Sequence, residues 1–224
     1  MGQGISEVLT FAIAVAISPI PIIAVILMLF SARARVNGPA FLVGWVVALA
    51  AVSTIVYVVA HDGNVATSST ASDSVSWGKI VLGVVLLLLA RRNWRNRPAP
   101  DSEPSMPKWM SRIDSLSPLE AAGLGVVLAA ANPKNLILTL GSAAGLAQLG
   151  LSTSDAIVAT AVFVLLGSVT IAGPVLYALA GGERARASLD AAKTWLGAHN
   201  AAVMAVLFLV FGVDLIAKGL PPLT

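Results

Sequence analysis

Long apolar runs without period-two alternation constrain this chain more than any motif does. Six of them, at residues 5–30, 39–60, 76–91, 118–146, 155–180 and 199–218, approach or exceed the roughly 20 helical residues that cross a hydrocarbon core of about 30 Å. Lipid offers backbone N–H and C=O groups no partner, so only helices or closed barrels span it. Because these Leu/Val/Ala-rich runs lack barrel alternation, the expected class is an all-α polytopic membrane protein with six transmembrane helices. The third run is short and contains Lys79, but Trp77 and Trp94 suit the two interfaces and Lys79 can snorkel outward. With 57% hydrophobic and only 11% charged residues among 224, the chain has less than half the charge of a soluble domain.

Basic residues set the expected orientation, since Lys and Arg accumulate in cytoplasmic loops. Arg33 and Arg35 follow the first run, Arg91, Arg92, Arg95, Arg97, Lys108 and Arg112 follow the third, and Arg184, Arg186 and Lys193 follow the fifth. The opposite side carries only Lys79 and Lys218. Loops 31–38, 92–117 and 181–198 are therefore expected on the cytoplasmic side of the cytoplasmic (inner) membrane, with both termini outside. Met1 to Val8 has no basic head, so the first run is expected to be retained rather than cleaved as a signal peptide. The net charge of +3 reads as cytoplasmic anchoring and contact with anionic lipid heads, and nucleic acid is not an expected partner.

Two of the apolar runs are broken near their middles at corresponding places. Aligning Pro19 on Pro133 lays Ala16-Ile17-Ser18-Pro19 over Ala130-Ala131-Asn132-Pro133, with Ile22-Ile23 over Leu136-Ile137. Three spans per half is an odd number, so similar halves must lie in the membrane with opposite orientation: two inverted three-helix repeats, 1–91 and 118–224. The linker 92–117 is polar and holds Pro98, Pro100, Pro104 and Pro107. Within it Trp109, Ile113 and Leu116 share a helical face, which suits either a helix on the leaflet surface or a cap packed on the bundle. Ser117-Pro118-Leu119-Glu120 reads as a helix start with a capping box, and Ser152 to Asp155 as another. Glu120 and Asp155 are on that ground structural acids rather than proton carriers.

Apolar segments interrupted at matched positions of two repeats point to a carrier's central site. Pro133 cannot donate to the carbonyl of Ala129, and Pro19 and Pro21 likewise release those of Val15 and Ile17. Freed carbonyls with adjacent polar side chains make Ser18, Pro19, Pro21, Asn132, Pro133, Lys134 and Asn135 the candidate substrate-binding group. Lys134 lies near mid-span, where an ammonium costs about 2.5–3.5 kcal/mol and usually faces a cavity or a partner. Asp214 is the candidate charge partner, although it also stands four residues before Lys218, in position for a local ion pair. Glu7 reads as an N-terminal-turn acid near the outer interface. Gly141-x-x-x-Gly145 permits close helix crossing, within the bundle or between copies in a homo-oligomer. His61 and His199 have no ligand cluster nearby, and the chain contains no cysteine, so no metal site, disulfide or cofactor is expected. No nucleophile–base pair, phosphate loop or paired carboxylate appears, and no catalytic residue or enzyme activity is expected.

Three segments together carry a resemblance: Ser18-Pro19-Ile20-Pro21-Ile22-Ile23 running towards Arg33, Asn132-Pro133-Lys134-Asn135-Leu136 before Leu138-Thr139-Leu140, and His199-Asn200-Ala201-Ala202 leading to Phe211-Gly212-Val213 and Lys218-Gly219-Leu220. They resemble the glycolipid-addressing (GAP, sulfolipid-addressing) family of the lysine-exporter (LysE) superfamily, over nearly the whole chain outside the linker and residues 61–74. The resemblance implies a six-helix carrier of two inverted repeats whose mycobacterial relatives help move peptidoglycolipids or sulfolipids to the cell surface, often beside a large lipid-transport protein. Amino-acid exporters of the superfamily have Pro-Gly-Pro in the first span where this chain has Pro19-Ile20-Pro21, so their substrate does not carry over. The leading expectation is a carrier or accessory for a glycolipid-type amphiphile. The alternatives are a proton-coupled exporter of a small amino acid or cation, and a scaffold docking a lipid-synthesis or lipid-export complex.

Overall fold

A computed structural model describes residues 2–62, 77–97 and 108–220. Every element among them is helical: α1 (Gly2–Ala16), α2 (Pro19–Phe30), α3 (Ala34–Asp62), α4 (Trp77–Arg95), a 3-10 helix (Lys108–Ser115), α5 (Pro118–Ala130), α6 (Pro133–Gln148) and α7 (Thr153–Gly219). The four linker prolines and the side chains of Lys79 and Trp109 lie outside the described residues. By length and composition α3 and α7 can each cross a membrane, and the bent pairs α1/α2 and α5/α6 raise the number to four if each pair is one span. Within its 19 residues α4 holds Lys79, Arg91, Arg92 and Arg95, which makes it too charged to qualify by composition.

Two of the expected cytoplasmic loops are corrected. Residues 31–38 are expected as a loop, but only Ser31 to Arg33 interrupt the helices, and Ser31 caps α2 by donating its hydroxyl to the Met28 carbonyl at 2.7 Å. Residues 181–198 are likewise helical, inside the 67-residue α7, except at Gly182 (φ 55, ψ −138). The run Glu183-Arg184-Ala185-Arg186-Ala187 is made of strong helix formers, so only the glycine, which alone adopts such angles without strain, breaks the rod.

The chain divides into two compact units, each drawing on both halves of the sequence: residues 1–66 with 106–194, and residues 67–105 with 195–224. In the first unit α3 packs on α5 and α6, and α1 on α6. Gly141 and Gly145 make room on α6 for the Phe11 ring and the Glu7 carboxylate, while Gly4 faces Leu146, so α1 and α6 run antiparallel. The expected close crossing at Gly141-x-x-x-Gly145 is therefore present, with α1 as its partner. Met110 and Ile113 of the 3-10 helix are buried, that helix packs on α2, and Asn37 Nδ2 donates to the Leu116 carbonyl at 2.8 Å. This part of the linker is therefore packed on the bundle through Met110 and Ile113. In the second unit α4 and residues 195–219 of α7 cross at Gly83 and Gly212, where an added Cβ on either would crowd the other's carbonyl.

The expected start of α5 is present in full. Ser117 Oγ accepts from the Glu120 amide at 3.3 Å, and Glu120 Oε2 accepts from the Ser117 amide at 2.7 Å. At α7, Ser152 Oγ accepts from the Asp155 amide at 3.2 Å. Ser117→Ala removes one half of the reciprocal cap and is expected to lower the free energy of unfolding by about 1 kcal/mol, read as a shift in a micelle denaturation midpoint.

Candidate functional site: crossed helix breaks

Both interruptions form by the same local logic. Ser18 (φ −114, ψ 98) and Asn132 (φ −69, ψ 117) are extended, and each precedes a proline at the first helical position. The chain bends by 55° at the first break and by 63° at the second. The Asn132 side chain caps α6 by accepting from the Lys134 amide at 3.1 Å, whereas the Ser18 hydroxyl caps nothing and is left for tertiary use.

The two breaks meet. Lys134 Nζ donates to the Ile17 carbonyl and to Ser18 Oγ, both at 2.7 Å. Ser18 Oγ in turn donates to Asn135 Oδ1 at 2.8 Å, and Asn135 Nδ2 donates to the Leu128 carbonyl at 3.0 Å. Ser18, Lys134 and Asn135 are 2%, 3% and 0% exposed, so this polar chain is sealed inside its compact unit. The Ile17 carbonyl is the one that Pro21 deprives of its helical donor; the Leu128 carbonyl loses its own because Asn132 is in the break. An acceptor released by the first break is thus satisfied by a side chain at the second, and one released by the second by a side chain just beyond it on α6.

A hydrogen bond to a charged group contributes about 1.5–3 kcal/mol. Two of them offset a mid-membrane insertion cost of about 2.5–3.5 kcal/mol for the ammonium, which explains how Lys134 is held without a carboxylate. No acid of the same unit, among the described residues, lies within ion-pair reach of it. Asp214, the candidate charge partner, belongs to the second unit and forms the local i,i+4 pair with Lys218 at 3.1 Å. Thr139 Oγ1 donates to the Asn135 carbonyl at 2.8 Å, and Ser168 Oγ to the Val164 carbonyl at 2.6 Å, each satisfying its hydroxyl within its own helix.

Thr170 escaped the sequence reading. Its hydroxyl reaches across from α7 to the Ala16 carbonyl at 2.6 Å, tying a third helix to the first break. Hydroxyls inside apolar helices usually bond back to the i−4 carbonyl, as Ser168 and Thr139 do, so nothing in sequence separates Thr170 from them. The histidines are each engaged on their own helix: His61 stacks on Tyr57 and His199 on Trp195, with ring centroids 5.5 and 4.7 Å apart.

An open apolar groove of 630 Å³ lies beside the breaks, walled by α3 (Ala50, Thr54, Val58) and α7 (Ile157, Ala161, Leu165). Its inner end at Ala50 and Val164 adjoins Leu49 and Gly167, and an added Cβ on Gly167 would be 3.4 Å from Val15, just before the first break. Thr54, Tyr57, Thr153 and Thr160 contribute hydroxyl-bearing side chains to a lining that is otherwise aliphatic.

No curated protein and no solved structure matches this chain. Residues 8–221 match the family described as Sap, sulfolipid-1-addressing protein, a match that takes in both breaks, all of α3 to α6 and the described part of the linker. The polar chain through Ser18, Lys134 and Asn135 and the groove beside it are therefore features of a membrane protein that belongs to the Sap, sulfolipid-1-addressing protein family.

Proposed function

We propose that this protein carries, or helps a partner carry, an amphipathic and anionic lipid across the cytoplasmic membrane towards the cell surface. The observation that bears most weight is the groove. It is walled by two helices fit to cross a membrane, presents a mainly apolar surface and is open rather than enclosed, and in this reading its open face meets the acyl chains of the bilayer. A small solute calls instead for a closed pocket with convergent polar groups. The membership supports a substrate of the sulfolipid or glycolipid class, because a sulfate-bearing lipid unites long acyl chains with a permanent negative charge.

In this reading the chain crosses six times, as two oppositely oriented three-span repeats of the lysine-exporter type. Support comes from the two breaks, which match in sequence, in extended cap geometry and in bend angle. Ser18, Pro19, Pro21, Asn132, Pro133, Lys134 and Asn135 form the hinge at which the repeats are joined, and acyl chains enter the groove alongside. Movement of the repeats about that hinge exposes the Lys134 ammonium, whose third N–H has no protein partner among the described residues, to the lipid's anionic group.

Ala161 is exposed on the groove wall, so Ala161→Trp fills the groove without touching the breaks. In a deletion strain, this variant is expected to restore normal protein levels but to lower the surface amphiphile by about tenfold or more, the effect of a loss of roughly 1.4 kcal/mol in productive lipid binding. Lipid profiling of envelope and cell fractions reads the result. An unchanged surface lipid profile together with an accumulated intracellular amino acid or cation would overturn the lipid reading in favour of small-solute export.

A further inference from the structure

We infer that the second compact unit contains its own binding site for a single anionic phospholipid, between α4 and the last part of α7. The two helices are held in backbone contact at Gly83 and Gly212, where side chains are absent. One turn further along α4, at Leu87, they part around a wedge of 570 Å³. Leu87, Ala90, Val206 and Leu209 make its walls aliphatic, and Arg91 and Trp94 stand at its mouth.

Arg91 also lines a second hollow of 440 Å³ with Leu88, Arg92, Arg95 and Asn96, so the apolar wedge and the arginine cluster are continuous. The Arg97 guanidinium lies 4.2 Å over the Trp94 ring, adding a fourth cation at the same end. Among the described residues of this unit the only carboxylate is Asp214, which is already paired with Lys218. Four cations facing no described acid complement an anion, and Arg binds phosphate through two parallel N–H donors.

Geometry narrows the ligand further. A free phosphate has no use for the aliphatic wedge, and a neutral lipid has none for the cluster; a lipid with one acyl chain along Leu87 and Leu209 and its phosphate at Arg91, Arg92 and Arg95 uses both. Arg91 to Arg97 belong to the side that the basic-residue bias assigns to the cytoplasm, so the ligand is drawn from that leaflet. This site does not depend on the carrier reading, because it is an equilibrium binding site whether or not the lipid is moved.

Native mass spectrometry of the full chain, released from detergent and titrated with phosphatidylglycerol or phosphatidylcholine, tests it. Wild type is expected to bind a first phosphatidylglycerol at least about tenfold more tightly than phosphatidylcholine, a preference that the Arg91→Gln/Arg92→Gln/Arg95→Gln variant loses. Val206→Trp, at an exposed position of the wedge wall, fills the wedge and leaves every arginine in place, and is expected to weaken the same first binding event by a similar factor, with helicity by circular dichroism unchanged in both variants. Wild-type affinity in the triple variant overturns the site. Full binding by Val206→Trp, together with displacement of the lipid by millimolar inorganic phosphate, shows an anion site without an acyl groove and also overturns it.

Discussion

Replacing Lys134 by methionine is expected to destabilise the protein by about 2–4 kcal/mol, because the Ile17 carbonyl then loses its charged donor and the buried Ser18 hydroxyl loses one of its two bonds. The opposite sign has a physical case, since removing a buried ammonium also removes its desolvation cost. The denatured state decides between them. Helices of a membrane protein denatured in micelles remain embedded, so the cost of inserting Lys134 is present in both states and only the folded partners differ. Equilibrium unfolding in mixed micelles measures the change, and methionine preserves most of the side-chain volume. A double-mutant cycle with Ser18→Ala should return a coupling of about 1–2 kcal/mol. Stability within about 0.5 kcal/mol of wild type and no coupling would show that the crossed breaks are held by packing alone.

Gly125→Ala should destabilise by about 2–3 kcal/mol while Gly123→Ala, two residues away on α5, is neutral or stabilising by up to about 1 kcal/mol. A Cβ on Gly125 would overlap the Phe41 carbonyl oxygen and stand 2.9 Å from the Trp45 amide nitrogen, whereas one on Gly123 meets nothing within 4 Å. Gly44 on α3 approaches the Ala122 carbonyl in the same manner. Backbone atoms on both sides cannot swing away like a side chain, so α3 and α5 must separate along their whole contact. That loss outweighs the gain in helix propensity from glycine to alanine, which is about 1 kcal/mol. Thermal unfolding of the two variants in one detergent gives the comparison, and equal midpoints would mean that α3 and α5 are not locked at this crossing.

The two substitutions mark how much was legible in the sequence. That α5 starts at Pro118 and that α1 and α5 stop where they do follows from residues adjacent in the chain: a capping serine or asparagine, a proline at the first helical turn, a missing N–H. The same local evidence placed Ser18, Lys134 and Asn135 in one candidate group. It could not say that Lys134 bonds Ser18, since the two are 116 positions apart and helical periodicity carries no information on which helices become neighbours. Thr170 went unnoticed for that reason, whereas the Asp214–Lys218 pair, four residues apart on one helix, was legible from spacing.

The loop expected at 181–198 was lost for a related cause. A polar, basic stretch between apolar runs reads as a loop when solvent exposure is the criterion, yet its alanines and arginines favour a helix that needs no burial, and only Gly182 breaks it. Composition and periodicity alone determined that this is an all-helical membrane protein with two proline-broken apolar segments, because an apolar backbone in lipid has so few ways to satisfy its hydrogen bonds. The tertiary structure alone decided that the breaks cross, that Lys134 is held by a freed carbonyl and a serine, and that a groove opens beside them. Those outcomes depend on which helices can approach closely enough, and that is set by side chains missing from glycines far apart in the sequence.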